Sequence, residues 1–522
     1  LMRKMDRLIS AISPQWALKR AVARHKLSYF NSGYGNHGAS RTKKSLAGWI
    51  FSGGSPDEDI IDNLDVLRQR SRDLYMGGAS LATGAIKTAR TNVVGTGLRL
   101  KPAIDAEFLG LSDEQAAELK RQIQREFALW ADSNDCDAAR MNNFYALQQL
   151  AFLSQLMSGD CFALLPLKPR PNSVYDLRIR LIEADRCMTP DKTDGRDIKG
   201  GVECDPDGEV VAYWFLNQHP LSKSIKKREW TRVEVYGKRT GRRNVIHLME
   251  SERPEQRRGV PILAPVIESL KQLGRYTEAE LMAAVVTGMF TVFIKTEVPD
   301  APLGEGVLPN EQWDDNDVDI SLGNGAVVGL APGEDIVTAD PSRPNTAFDG
   351  FVTSILRQIG SALEIPYELL VKHFTSSYSA SRAALLEAWK SFRMRRTWLA
   401  SDFCQPIYEE WFAEAVAKGR IDAPGFFEDP LIRKAYTQAE WHGPAPGQID
   451  PLKEVAAAKM RIETRLSTHE RETAEINGGD FELNVRQLSR EQKLLEESGL
   501  TIIGGDPNSE KAILESKTDD EQ

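Results

Sequence analysis

Residues 261–363 constrain the fold more than any other part of the chain. Leu263, Val266, Leu270, Leu273, Thr277, Leu281 and Ala284 recur in steps of three and four. That spacing marks one face of a helix starting near Pro261, whose missing N–H costs nothing in a first turn. About 28 residues at about 1.5 Å each give a rod of about 40 Å. Val285, Val286, Thr287 and Gly288 then weaken helix preference, and Thr291 to Lys295 reads as a strand. A small insertion follows, carries Asp314, Asp315, Asp317 and Asp319 on an acidic edge, and ends near Pro344. A second helical stripe runs through Phe348, Val352, Ile355 and Ile359, opened by Asn345 or Thr346. Two helices bracketing a compact module predict a stalk with a tip.

The segment before the stalk reads as an α+β body. Ile60, Leu64, Leu67, Leu74 and Ala85 give residues 56–92 a helical pattern, closed by a Gly95-Thr96-Gly97 turn into a strand. Ser112 and Gln115 form a capping box. The helix it opens is expected to bury Leu119, Ile123, Phe127 and Trp130 and to expose Glu118, Arg121 and Glu126. A helix from Asn143 to Met157 stops at Gly159, and Cys161 to Leu167 and Leu177 to Ile182 read as strands. Short alternating runs at Val210 to Phe215, Val233 to Tyr236 and Val245 to Met249 predict a small sheet.

After Pro366 and a polar stretch, Thr375 to Ser381, comes a long helical pattern. Leu385, Trp389, Phe392, Leu399 and Phe403 share one side, with Arg382, Lys390, Arg393 and Arg395 elsewhere, and Pro406 bends or restarts the helix. Gly419 to Gln448 reads as a Pro- and Gly-rich loop. Helices restart at Asp450-Pro451 and, after Gly478-Gly479-Asp480, run through Val485, Leu488, Leu494 and Leu495.

Charge limits the partners. The 522 residues carry a net charge of -9, yet residues 1–50 hold ten Lys or Arg against Asp6 alone, which is +9 there and -18 in the remainder. A basic arm on an acidic body excludes global attraction to DNA and leaves local contact with nucleic acid or an acidic protein surface. The longest apolar run, Leu281 to Ile294, is 14 residues, short of the roughly 20 that cross a bilayer as a helix. No signal peptide is expected, because Pro14, Gln15, Lys19 and Arg20 break the N-terminal apolar positions. The odd set Cys136, Cys161, Cys187, Cys204 and Cys404 fits reduced, buried thiols better than a disulfide framework.

Catalytic motifs are missing from the sequence. It has no Gly-rich loop closed by Lys and Ser or Thr, and no Gly-x-Ser-x-Gly elbow. His469-Glu470 begins like a zinc helix, but Thr473 stands where the second ligand belongs. Asp315, Asp317 and Asp319 begin like a calcium loop, but Ile320 and Ala326 replace the required Gly and Glu. No catalytic residue, cofactor or metal is therefore expected. Two other readings stay open: a hydrolase or nuclease with dispersed active-site residues, and a DNA-binding module, which would need a continuous basic face.

Several stretches together resemble the lambda-like family of tailed-bacteriophage portal proteins. They are Arg253-Pro254-Glu255-Gln256-Arg257-Arg258-Gly259-Val260-Pro261, Ile365-Pro366-Tyr367-Glu368-Leu369-Leu370 and Ser376-Ser377-Tyr378-Ser379-Ala380-Ser381-Arg382-Ala383-Ala384. Glu440-Trp441, Ile449-Asp450-Pro451-Leu452-Lys453-Glu454 and the span Tyr75 to Gly97 follow the same order. The resemblance implies an α+β subunit with wing, two-helix stem, small α/β clip and helical crown, assembling into a twelve-subunit ring at one capsid vertex. Carried onto this chain it implies a basic arm (1–50), wing (51–260), first stem helix (261–290), clip (291–344) and second stem helix (345–363). A tunnel-facing segment, long wing helix and linker (364–449) and a crown with C-terminal tail (450–522) complete it. Leu263, Leu270, Leu273, Phe348, Val352 and Ile355 would serve oligomerisation, many of their contacts being completed by neighbouring subunits. His373, Phe374, Thr375, Ser376, Ser377 and Tyr378 would face the tunnel, and Asp314, Asp315, Asp317 and Asp319 would dock the motor. The implied partners are the large terminase subunit, the capsid protein, a head-completion or connector protein and the passing double-stranded DNA. The implied location is the portal vertex of the virion, after assembly in the host cytoplasm.

Overall fold

The computed structural model describes residues 13–16, 18–20, 22–23, 44–46, 53–223, 227–288, 292–296, 334–338, 348–374, 377–447 and 450–498. The chain forms two compact units, Leu1–Asp59 and Ile60–Gln522. The first unit ends in the opening turn of α1 (Pro56–Asp73). There Ser55 N–H donates to Glu58 Oε2 at 3.1 Å, and Ser55 Oγ accepts from Glu58 N–H at 3.4 Å, a reciprocal cap.

In the second unit, the helical pattern that reads as continuous is split by a π-turn, Leu74–Gly78, before α2 (Ser80–Val93). The paired glycines Gly77 and Gly78 make helix continuation costly there. Gly95 and Gly97 take positive φ (56° and 112°) and turn the chain into β1 (Arg99–Pro102). The Ser112 box opens α3 (Asp113–Ala131) with bonds of 2.9 and 3.2 Å. Ile123, Phe127 and Trp130 of α3 are buried, as their spacing requires. Glu126, expected at the surface, is buried as well: Arg420 donates two hydrogen bonds to its carboxylate and Tyr175 Oη a third, at 2.8 Å. A carboxylate so paired satisfies its lone pairs inside the protein. Asn143 caps α4 (Phe144–Ser158), which Gly159 terminates at φ 89°.

Strand β2 (Asp160–Leu164) pairs antiparallel with β3 (Arg180–Glu183) on one edge and with residues 245–249 on the other. Between them in sequence, β4 (Asp197–Lys199), β5 (Val202–Cys204), β6 (Val210–Leu216) and β7 (Trp230–Glu234) form an antiparallel sheet in sequential order. The chain then returns as β8 (Val245–Met249). Alternation along β2 separates two cores: Cys161 and Ala163 face the main one, while Phe162 meets Ile182, Val202, Tyr213, Phe215 and Val245 in a smaller one. Burial on both faces explains why β2 reads as an unbroken apolar run.

A 3-10 turn, Ala264–Val266, precedes α5 (Ile267–Gly288), so the first residues of the expected stalk helix are a tighter lead-in. Strands β9 (Val292–Thr296) and β10 (Glu334–Thr338) pair antiparallel, with Ile294 opposite Ile336. Helix α6 (Phe348–Ala362) follows, then the short α7 (Tyr367–Val371) and the long α8 (Tyr378–Leu399). A π-turn, Ala400–Cys404, leads into α9 (Gln405–Ala417) with Pro406 in its first turn, so the proline restarts the helix without ending it. Arg395, read as a surface charge, is buried and donates to Glu364 at 3.1 Å. The stretch read as a loop, 419–448, contains α10 (Pro430–Thr437), capped by Asp429, and β11 (Ala439–His442), which pairs with β1. That pairing joins opposite ends of the unit and leaves no local sequence signal.

The last elements are α11 (Pro451–Glu463), α12 (His469–Asn477) and α13 (Phe481–Glu497), each opened by an Asp or Thr cap. The main core spans the π-turn at 74–78 to α10 and centres on aromatics. Phe127 lies edge-on to Trp411 at 5.0 Å and to Phe144 and Tyr408 at 5.7 Å. All five cysteines are free and buried.

Candidate functional site

The cover over α5 changes along its length. Leu263, Val266, Leu270 and Leu273 are 0 to 4 % exposed, packed in the main core. Leu281, Met282 and Val285, further on, are 65, 58 and 43 % exposed. Helix α6 runs back beside the first half of α5: Phe348 stacks on Tyr276 at 5.5 Å, and the other end of α6 lies near the 264–266 turn. Val352 and Ile355 are half-buried against the same core, whereas Phe351, edge-on to Tyr276, is half exposed. The stripe expected to wait for neighbouring subunits therefore needs correcting at its root. Leu263, Leu270 and Leu273 are covered within their own chain, in the same core as Leu74 of the π-turn and Leu356 and Ile359 of α6.

Directly before α5, the Arg-Arg-Gly of the entry motif anchors the helix pair to the body. Gly259 packs backbone to backbone on Gly159, where an added Cβ would run into the Gly159 carbonyl. Its neighbour Arg258 is fully buried and grips Asp160 with Nε at 2.7 Å and Nη2 at 3.0 Å. Arg68 of α1 reaches the same carboxylate at 3.0 Å, and Gly259 N–H donates to it at 3.1 Å. The remaining Arg258 donors go to the carbonyls of Ala184, Cys187 and Gly200. Burial alone would raise the Asp160 pKa, but the Arg258 and Arg68 charges hold it well below the usual carboxylate range. Burial pulls Arg68 down to about 10. His247, whose Nε2 lies 3.5 Å from Asp160, is pushed below its ordinary value by burial. One aspartate thus ties α1, β2, β8 and the root of α5 together.

Of the expected tunnel-facing residues, His373, Phe374 and Ser377 are exposed, after a left-handed Lys372 (φ 55°) that ends α7. Thr375 and Ser376 lie outside the described residues, as does the Tyr378 side chain; its backbone begins α8. Asp314, Asp315, Asp317 and Asp319 also lie outside them.

Sequence reasoning did not single out Asp160, Arg258 or Arg68, whose pairing joins segments 90 to 100 residues apart. The only local hint is a lone Asp between Gly159 and the apolar run that starts at Cys161, and it does not name its partners. Glu183, Asp185 and His219 form a cluster with metal-ligand geometry. Arg72 already bonds both carboxylates, at 3.0 and 2.5 Å. His219 Nδ1 accepts from Leu221 N–H at 3.1 Å, which leaves the proton of a neutral ring on Nε2, the atom facing the acids. The cluster is an ion-paired group and does not offer three free ligands.

Residues 42–396 match the family described as phage portal protein, lambda family. Portal protein B of Escherichia phage lambda is 25 % identical over 484 residues, covering 89 % of this chain and 90 % of that protein. The portal protein of Escherichia phage N15 is 25 % identical over 479 residues, covering 87 % and 89 %. Similar solved structures include the neck of a native gene transfer agent particle computed with C12 symmetry, at 13 % identity and TM-score 0.39, covering 78 % of this chain and 92 % of that one. An HK97-family phage portal protein from Corynebacterium diphtheriae has TM-score 0.30 at 12 % identity, covering 69 % and 92 %. With the family pattern matched over residues 42–396, and its entry motif built into the buried root of the helix pair, the chain belongs to the lambda family of phage portal proteins.

Proposed function

We propose that the chain is the subunit of a homo-oligomeric ring of about twelve copies at one capsid vertex, a passive channel through which double-stranded DNA is packaged and later ejected. Membership of the family over residues 42–396 carries this reading. Three features support it. The outer half of α5 exposes Leu281, Met282 and Val285, an apolar face that a head-to-tail neighbour would cover. An acidic body is suited to letting a duplex slide without the tight phosphate binding that would stall it. The chain also lacks a phosphate-cradling loop, so energy for packaging would come from a terminase. In this reading the terminase docks at the acidic insertion between α5 and α6, and a connector protein later takes its place. The capsid protein surrounds the wing.

Native mass spectrometry tests the ring directly. Closed particles near twelve times the 58.2 kDa chain are expected, and a compact monomer at every assembly-competent concentration would overturn the proposal. The purified ring should neither hydrolyse ATP nor cut DNA. Metal-dependent cleavage that survives purification and disappears on substitution of a local carboxylate would favour the nuclease reading.

A further inference from the structure

We propose that α11 to α13 form a module latched electrostatically to α8, able to swing away from the body about Ala445–Gly447 while Gly443 and Pro444 stay pinned. The inference does not rest on the ring. It starts from how little apolar material holds the module. Of residues 451–497 only Ala458 and Glu472 are buried, and Glu472 is satisfied within the module by Arg461 at 2.6 and 2.9 Å. Helix α13 buries no residue.

The seam with α8 is mixed: Leu385, Leu386 and Trp389 of α8 and Ala457 and Ile476 of the module line part of it, and charge lines the rest. Across a cleft of about 160 Å³, Arg382 and Arg393 of α8 oppose Glu454 and Glu475 of α11 and α12. Arg382 and Glu454 approach to 3.7 Å. A second cleft of about 270 Å³, lined by Arg393, Arg396 and Glu475, continues the seam along the linker. A second ionic tie joins Glu470 of α12 to Lys101 of β1. Opposed charges across partly open clefts attract over several ångströms without the close packing that would fix them, and salt screens them.

The pivot is set by Arg396. Its Nη2 donates to the carbonyls of Asn92 (2.8 Å) and Pro444 (2.7 Å), and its Nε donates to Val93 O (3.0 Å). One guanidinium thus staples the linker to the C-terminal end of α2. Gly443 fits beneath it, where a Cβ would strike Leu98 and Arg396. Gly478 of the module rests against the Gly443 carbonyl, where an added Cβ would come within 3.0 Å, a contact the swing has to break; beyond it Pro446 and Gly447 are exposed, Gly447 takes φ 78°, and an added Cβ there would meet nothing within 4 Å. Rotation about these residues moves the module and leaves the pinned end in place.

Hydrogen exchange on the full chain, with oligomeric state matched by native mass spectrometry, tests the latch. Glu454→Arg and Arg382→Glu should each speed exchange in peptides from 451–477 about two- to fivefold, the size expected of one partly exposed ion pair. Exchange in 144–164 should stay unchanged. The double charge swap should restore wild-type exchange in the module, and raising salt should loosen the wild-type module alone. Single variants that exchange like wild type, a swap that restores nothing, or equal acceleration in 144–164 would each overturn the proposal.

Discussion

Asp160 is fully buried among two arginines, so replacing it leaves two cations facing each other without an anion. Breaking a buried pair by removing one partner costs about 3–5 kcal/mol, a large share of a domain's stability. Asp160→Ala should therefore lower the unfolding midpoint sharply. Asp160→Asn should do nearly as much, since it keeps the shape and loses the charge. The pH dependence has a definite sign. The folded pKa of Asp160 is depressed from the ordinary carboxylate value of 3.8, so its stabilisation is present above that value and is lost as pH falls below it. His247 is also depressed, from 6.5, so the unfolded chain binds that proton first and stability already declines as pH drops through the region near 6.5. Thermal unfolding between pH 7 and 3 should show both losses in the wild type, and Asp160→Asn should flatten the one below pH 4. Wild-type acid stability in the Asn variant would show that the network contributes nothing. The pairing was not legible in the sequence. A charge at helix or strand spacing reads as solvent-facing unless its partner is adjacent, and the partners of Asp160, Glu126 and Arg395 lie 98, 294 and 31 residues away.

Element identity was far more legible than element pairing. The capping box at Ser112, the stop at Gly159, the Asp450-Pro451 start and the break at Gly478 are local signals, and the structure realises each of them. The π-turn at 74–78 and the strand β11 were missed, the first because two glycines only weaken a helix, the second because its partner is β1. The α5 stripe was read correctly as one apolar face, but periodicity cannot say what covers each part of it. The structure divides the stripe, and the division predicts two different phenotypes. Leu270→Asp puts a carboxylate in the core of the single chain and should destabilise the fold by several kcal/mol, visible as a lowered unfolding midpoint before any assembly. Leu281→Asp lies at an exposed position and should leave the monomer's midpoint within about 0.5 kcal/mol while shifting ring mass toward smaller species. Equal effects of both variants on monomer stability would place the whole stripe in one core.

At the scale of the whole molecule, the match to the family ends at Arg396, but the body does not. Phe403, Ile407, Tyr408, Trp411 and Phe412 are each 0 or 1 % exposed, and they surround Phe127 and Phe144 in the main core. Strand β11 completes the sheet that β1 begins, and Gln405 Nε2 ties α9 to Thr437 O at 2.8 Å. Each large side chain buried from water contributes about 1.5–3 kcal/mol, so these five residues together weigh as much as the net stability of an ordinary domain, about 5–15 kcal/mol. A chain ended at Arg396 should therefore lose cooperative unfolding and the near-ultraviolet circular dichroism of its packed aromatics. A chain ended at Gly447 loses α11 to α13 but keeps every one of those residues together with β11 and the Arg396 staple. It should unfold cooperatively, with a midpoint within a few degrees of the full chain. The comparison separates the body from the latched module by a measurement that does not depend on the ring. Cooperative unfolding of the chain ended at Arg396 would mean that the N-terminal aromatics hold a core without α9, and the division into body and latched module would fail.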